Sequence, residues 1–124
     1  MGRLKGLLVV GALLAGCGGT EAPQLTYAEL AERAASALCT HAQRCGGSTA
    51  PYEQCVAEVT DAYVAVEPEL DRAAAGAKSG CVQCMRIRTG ELEASLASDC
   101  ARAPDEARVR AVCGAEDAAC AGAP

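Results

Sequence analysis

Cysteine is the residue type with which this chain could do chemistry, since it has nine cysteines but a single histidine. Two of them, Cys81 and Cys84, form a C-x2-C pair. At a helix N-terminus the backbone amides stabilise a thiolate, and disulfide-exchange proteins use such pairs in that position. The sequence Ser79-Gly80 before Cys81 predicts a helix start there. One functional hypothesis is therefore a thiol-disulfide or redox-sensing protein that uses Cys81 and Cys84.

The surroundings of the pair favour a structural role instead. A thioredoxin-type site follows a strand in a βαβ unit, and no strand-like segment precedes Cys81. Haem attachment needs a histidine where Met85 stands, and zinc would need further clustered ligands. The single histidine, His41, is predicted to face solvent or to cap its helix. We expect two separate long-range disulfides from Cys81 and Cys84, and we assign no metal site.

The ninth cysteine, Cys17, ends an apolar N-terminal run. Arg3 and Lys5 precede the apolar residues 6–15, which are too few for a membrane-spanning helix of about 20 residues and are typical of an export signal. Residues 14–17, Leu-Ala-Gly-Cys, closely resemble the lipobox of bacterial lipoproteins. That resemblance implies a diacylglyceryl group on the Cys17 sulfur and cleavage of the chain just before this residue.

Residues 25–124 are predicted to form a cysteine-rich helical domain. The resemblance implies a signal peptide over residues 1–16 and a flexible lipid-anchored tether over 17–24 before it. It also implies a membrane partner through acyl chains such as palmitate, with no cofactor besides this covalent lipid. The implied location is the bacterial cell envelope, on an outer membrane and facing the periplasm or the cell surface. Loss of the two basic residues of the signal would change the net charge from −5 to −7.

The number of cysteines agrees with this organisation. An odd number is unusual in an exported protein, but assigning Cys17 to the lipid leaves eight. In an oxidising compartment these eight are candidates for four disulfides: Cys39, Cys45, Cys55, Cys81, Cys84, Cys100, Cys113 and Cys120. Because the chain has no Phe or Trp, its apolar core is predicted to be thin, so that such bonds contribute strongly to stability.

The fold class predicted is all-α, a small disulfide-stapled helical bundle built on an N-terminal antiparallel hairpin. Thr26 and Glu29 form a capping-box pattern at the start of the first helix, with Leu25 and Leu30 as a hydrophobic staple. The helix is predicted to stop at Gly46-Gly47. Its buried stripe has helical spacing and comprises Leu30, Ala34, Leu38 and Ala42.

The second helix is predicted to be capped by Ser48 or Thr49 and to break at Glu67-Pro68, because a residue before proline avoids the helical region. Its buried stripe comprises Cys55, Val59, Tyr63 and Val66.

In an antiparallel hairpin of these two helices, Cys39 and Cys55 lie at similar distances from the connecting loop. The spacing favours a Cys39–Cys55 disulfide and leaves Cys45, at the turn, to reach another part of the chain.

Three further helices are predicted. A weak one covers residues 69–77, and the next covers 81–100 with a break at Thr89-Gly90. Pro104 suits the first turn of the last helix, whose inward residues would be Val109, Val112 and Cys113. No segment alternates apolar and polar residues as a half-buried strand does, so no sheet is predicted.

The composition and motifs exclude several functions. An acidic chain without a basic stripe is not expected to bind nucleic acid. No G-x-S-x-G, H-E-x-x-H or glycine-rich phosphate motif occurs, so we assign no catalytic or cofactor-binding residue and expect no enzyme activity. No small-molecule substrate is indicated. A periplasmic small-ligand or metal-binding protein is a further hypothesis, which the low aromatic and histidine content disfavours.

The leading hypothesis is a non-enzymatic, membrane-anchored lipoprotein. Its helical domain would bind an unidentified protein partner or take part in envelope assembly. The helical hairpin with its C-x5-C-x9-C spacing also resembles, loosely, small cysteine-rich bacterial lipoproteins of uncharacterised role.

Overall fold

The computed structural model describes residues 24–114 together with Cys120. This part of the chain contains four helices and no strand: α1 (Tyr27–Arg44), α2 (Tyr52–Arg72), α3 (Ala77–Ala97) and α4 (Glu106–Cys113). Helix α1 packs against both α2 and α3, and α4 packs against α3. The predicted all-α, disulfide-stapled bundle is confirmed. The predicted signal peptide, the lipobox-like residues with Cys17 and most of the predicted tether lie outside the described residues.

Helix α1 begins as its sequence predicts. The Thr26 side chain accepts a hydrogen bond from the Glu29 amide at 3.2 Å, and the Glu29 carboxylate accepts one from the Thr26 amide at 2.7 Å. The helix ends at Arg44 with Cys45 as its C-cap, and Gly47 follows in the left-handed region with φ 68°. The buried face is wider than the predicted stripe, because small residues allow close packing on both sides of Leu30 and Ala34: Ala31, Ala35 and Ala37.

The predicted start of α2 is wrong. Pro51 occupies the N-cap position and makes no side-chain capping bond. Ser48 instead accepts a hydrogen bond from the Ala50 amide at 3.3 Å, so its hydroxyl stabilises the loop rather than the helix. Thr49, the alternative cap, also lies in the loop before Pro51.

The predicted break at Glu67-Pro68 is also wrong, since α2 continues through Pro68 to Arg72. A proline inside a helix removes one backbone hydrogen bond and strains the preceding turn. Lys78 bridges the two sides of the proline, with its ammonium 2.9 Å from both the Glu67 and the Asp71 carboxylates. The residues predicted as the first half of a separate weak helix therefore complete α2.

Helix α3 starts earlier than predicted and is not interrupted. Gly76, with φ 99°, makes the turn after α2, and the Gly80 amide donates to the Gly76 carbonyl at 2.8 Å. Ser79 and Gly80 therefore lie inside the first turns of α3, and Thr89-Gly90 lies in its middle. A glycine costs about 1 kcal/mol in a helix interior, which tertiary packing and cross-links override here.

The last helix also differs in detail. Asp105 is the N-cap and accepts a hydrogen bond from the Arg108 amide at 3.0 Å. Pro104 therefore lies just outside the helix rather than in its first turn. Val109 is buried as predicted, but Val112 is 44% exposed and does not face inward.

All eight cysteines of the helical domain are paired. Cys39–Cys55 joins α1 to α2 and is the pairing that the hairpin geometry favoured. Cys45, at the end of α1, reaches Cys100 beyond the end of α3. The other two bonds connect α3 to the C-terminal part of the chain, Cys81 to Cys120 and Cys84 to Cys113. The Cα separations of 4.7–6.0 Å are normal for disulfides.

The disulfides should contribute to stability in proportion to the loops that they close. In the chain-entropy account a cross-link over 55 residues stabilises more than one over 16, about 4 against about 3 kcal/mol. We expect Cys45→Ala/Cys100→Ala to lower the free energy of unfolding more than Cys39→Ala/Cys55→Ala. Urea unfolding of both double variants, followed by far-ultraviolet circular dichroism, measures the difference. The reverse order would show that native packing at the hairpin outweighs loop entropy.

Candidate functional site

Cys81 and Cys84, the candidates for thiol chemistry, are structural in this geometry. Cys81 lies in the second turn of α3, because the helix begins at Ala77 rather than at the cysteine. Its Cα therefore lies beyond the first turn, whose amides have no partner within the helix. The side chains are fully buried, and each cysteine is bonded to a different distant partner, as the sequence analysis expected.

Tyr27 packs on this sulfur cluster. Its hydroxyl donates a hydrogen bond to the Tyr63 carbonyl at 2.8 Å and lies 3.8 Å from the Cys81 sulfur. Burial, reinforced by the nearby Glu67 carboxylate, raises the pKa of Tyr27 to about 12. The phenol therefore remains neutral and can act as a donor. It joins the start of α1 to α2 rather than serving as an acid or a base.

His41 and Ser95 form a contact that the sequence did not indicate. The His41 Nε2 lies 3.0 Å from the Ser95 Oγ, although the residues are 54 positions apart. A serine next to a histidine is the core of many nucleophilic sites. Here Ser95 is only 2% exposed, and no carboxylate among the described residues orients the imidazole. The pair links α1 to α3, so the half-buried His41 makes a tertiary contact that the predicted solvent-facing or capping role did not include.

Glu91 is a second buried polar group. Its carboxylate is 4% exposed, accepts a hydrogen bond from the Asp105 amide at 3.0 Å and lies 3.4 Å from the Arg108 guanidinium. These contacts attach the N-terminus of α4 to the middle of α3. A buried carboxylate needs such partners, and their positions follow from the turn between the helices.

The α1–α3 cleft has a volume of about 410 Å³. Its floor is apolar, with Leu30 and Met85 buried and Leu25 exposed at one end. Arg33 and Glu93 form a bidentate ion pair on its rim, with nitrogen–oxygen distances of 2.9 and 3.0 Å. These two charges compensate each other, but Arg86 also lines the cleft and forms no ion pair with a described residue, so the lining carries one unpaired positive charge.

A second surface, which we call the acidic groove, lies between α1 and α2 and has a volume of about 480 Å³. Its lining includes Glu32, Tyr52, Glu53, Val56, Thr60 and Asp61. Tyr52 is 39% exposed, and its hydroxyl lies 2.8 Å from that of Ser36. The Thr60 hydroxyl is buried and has no hydrogen-bond partner among the described residues.

The described residues line the α1–α3 cleft and the acidic groove, whereas the side chains of Cys81, Cys84 and Ser95 are buried. No set of three or more His, Cys, Asp or Glu side chains in residues 24–114 and Cys120 is arranged to hold a metal ion. None of the helices described here combines the length and apolar character needed to cross a bilayer. In comparisons with protein-family models, curated proteins and solved structures, the chain matches none of them.

Tyr27→Phe should weaken the fold by about 1 kcal/mol at neutral pH, because a buried hydrogen bond is lost. The raised pKa also gives a pH dependence. A group that is protonated more strongly when folded stabilises the protein below its unfolded pKa of about 10, and this contribution is lost as the pH rises through about 12. The variant should therefore lose less stability than the wild type between pH 10 and 12 in urea unfolding.

Tyr52→Phe is the matched control, since it removes a hydroxyl on an exposed side chain. Absorbance at 295 nm, which follows phenolate formation, should show a group that titrates near pH 12 in the wild type and is absent only in Tyr27→Phe. Equal stability of the two variants would contradict a structural role for the Tyr27 hydroxyl.

Proposed function

We propose that the protein is a lipid-anchored, non-enzymatic component of the bacterial cell envelope, with a disulfide-stapled helical domain that binds a protein partner. The observation that carries the proposal is the use of the cysteines. Four disulfides occupy eight of the nine, so Cys17 has no cysteine partner left in the chain. It is also the residue that the lipobox resemblance assigns to the lipid.

The anchor has a simple physical basis. Each buried CH₂ of an acyl chain contributes about 0.8 kcal/mol, and two chains suffice for stable attachment. The four disulfides support an oxidising compartment, as expected of a lipoprotein that faces the periplasm or the cell surface from the outer membrane. The tether over residues 17–24 would then separate the lipid from α1.

The sulfur geometry supports binding over redox chemistry. A disulfide-exchange protein needs an exposed thiol that alternates between bonded and free states, whereas Cys81 and Cys84 are buried in bonds to two different partners. The acidic groove instead presents exposed carboxylates beside the half-buried Val56 and the exposed Tyr52, and tyrosine is enriched at protein interfaces.

Cys17→Ser should abolish membrane anchoring, because serine has no thiol to accept the diacylglyceryl group. We expect wild-type protein in the membrane fraction, with an intact mass that shows acylation and a chain that starts at residue 17. The variant should lack the acyl mass and leave the membrane fraction after carbonate extraction. Gly18→Ala, next to the cysteine but outside the lipobox, is the matched control and should remain anchored.

Alkylation of unreduced wild-type protein tests the rest of the proposal independently. No thiol should react, because the lipid occupies Cys17 and the disulfides occupy the others. An unacylated wild-type Cys17 would contradict the anchor, whereas two reactive thiols at Cys81 and Cys84 would favour the redox hypothesis.

A further inference from the structure

The geometry points to the acidic groove as a docking site for a lysine- or arginine-rich segment of a partner protein. This inference rests on the proposed binding function and specifies the chemistry of the partner. Four properties of the groove carry it: its uncompensated charge, the spacing of that charge, the apolar floor and a buried hydroxyl without a partner.

The charge of the groove is not compensated within the described structure. Glu32, Glu53 and Asp61 are exposed and form no ion pair with any described residue. Five acidic residues outside the groove have a cationic neighbour within 4 Å: Glu67, Asp71, Glu91, Glu93 and Asp99. Three unpaired carboxylates around one groove produce a negative potential that attracts cationic groups.

The spacing of these acids suits a chain rather than a single ion. Glu53 and Asp61 are eight residues apart on α2, which corresponds to about 12 Å along the helix, and Glu32 faces them from α1. The three carboxylates do not form a metal-binding group. Cationic residues recur at about this distance when they are three to four positions apart in an extended segment or eight apart in a helix.

The floor of the groove suits the rest of a basic side chain. Lysine and arginine lay their aliphatic stems along apolar surface while the charged head remains polar. Val56 is half-buried in the groove, and the exposed Tyr52 ring lies beside it. The aliphatic stem can pack on these two side chains while the charged head lies near the carboxylates of the groove. Arginine can also stack on the face of a tyrosine ring.

The Thr60 hydroxyl adds a further reason for a ligand. An unpaired buried hydroxyl destabilises a protein, and Thr60 Oγ1 has no partner among the described residues. Thr60 is one of the residues that line the groove, so its oxygen is a hydrogen-bond acceptor available to a lysine or guanidinium N–H group bound there.

The test uses the full lipidated chain in detergent and a fluorescently labelled lysine/alanine peptide, with a glutamate/alanine peptide as the charge-reversed probe. Fluorescence anisotropy at low ionic strength should show binding of the lysine peptide alone, weakening as salt is added. Combined Glu32→Gln, Glu53→Gln and Asp61→Asn should weaken binding by about tenfold, from the loss of three exposed charge pairs.

A matched variant removes three exposed acids outside the groove: Glu58→Gln, Glu69→Gln and Glu106→Gln. It has the same net charge as the groove variant and should bind the peptide nearly as well as the wild type. Thr60→Val preserves charge and should weaken binding severalfold while increasing thermal stability. These two variants separate recognition in the groove from attraction to an acidic protein in general.

Three outcomes would overturn the inference: no binding of the lysine peptide, equal losses in the two triple variants, or spermidine displacing the peptide at an equal concentration of charge. The last would identify a polyamine site rather than a docking surface. Peptide binding by unlipidated Cys17→Ser should match that of the wild type. Failure of groove recognition would therefore leave the membrane-anchoring result intact, and failure of anchoring would leave the peptide result intact.

Discussion

The disulfides connect helices that have few large apolar side chains to pack against one another. The chain has no Phe or Trp, and Met85 is the largest fully buried side chain among the described residues. Cys39, Cys81 and Cys84 occupy core positions where aromatic or aliphatic side chains would otherwise be needed. Since a disulfide restricts mainly the unfolded chain, these cross-links stabilise the bundle without a large buried apolar area. They also allow α3 to include two glycines.

The parts of the fold that could be predicted are those decided by local chemistry. The capping box of Thr26 and Glu29 requires only neighbouring residues, and the antiparallel hairpin follows from two helices with a short connection. The Cys39–Cys55 pairing follows in turn from helical rise and loop length. The other disulfide partners depend on how α3 and α4 lie against α1, which no local pattern specifies, and so the sequence left them open.

The errors arose where tertiary contacts override local preference. Pro68 is a helix breaker by itself, but Lys78 from the next helix bridges the carboxylates on either side of it. Gly80 similarly predicts a helix boundary from sequence, yet it lies inside α3. Its amide donates to the Gly76 carbonyl, and the next residue, Cys81, is bonded to Cys120. A single sequence gives the cost of each breaker but not the distant contacts that offset it.

The candidate binding surface was harder to predict than the fold. Glu53 and Asp61 look like ordinary members of a solvated helix face, and only the packing of α1 beside α2 adds Glu32 to the same groove. The sequence also does not show which acids are paired, because Glu91 and Glu93 form their ion pairs with arginines on other helices.

The disulfides help the fold to tolerate the repulsion between the unpaired carboxylates on its surface. Uncompensated like charges oppose the compact state, and a domain with a thin apolar core has little stability to offset that repulsion. Bonds such as Cys39–Cys55, which joins the two helices that form the acidic groove, hold those helices together whatever the charge on their surface. The groove can therefore keep carboxylates unpaired in the free protein. A basic partner would then neutralise these carboxylates without first breaking ion pairs inside the protein. The electrostatic attraction therefore contributes in full to the binding free energy, since no internal ion pair has to be replaced.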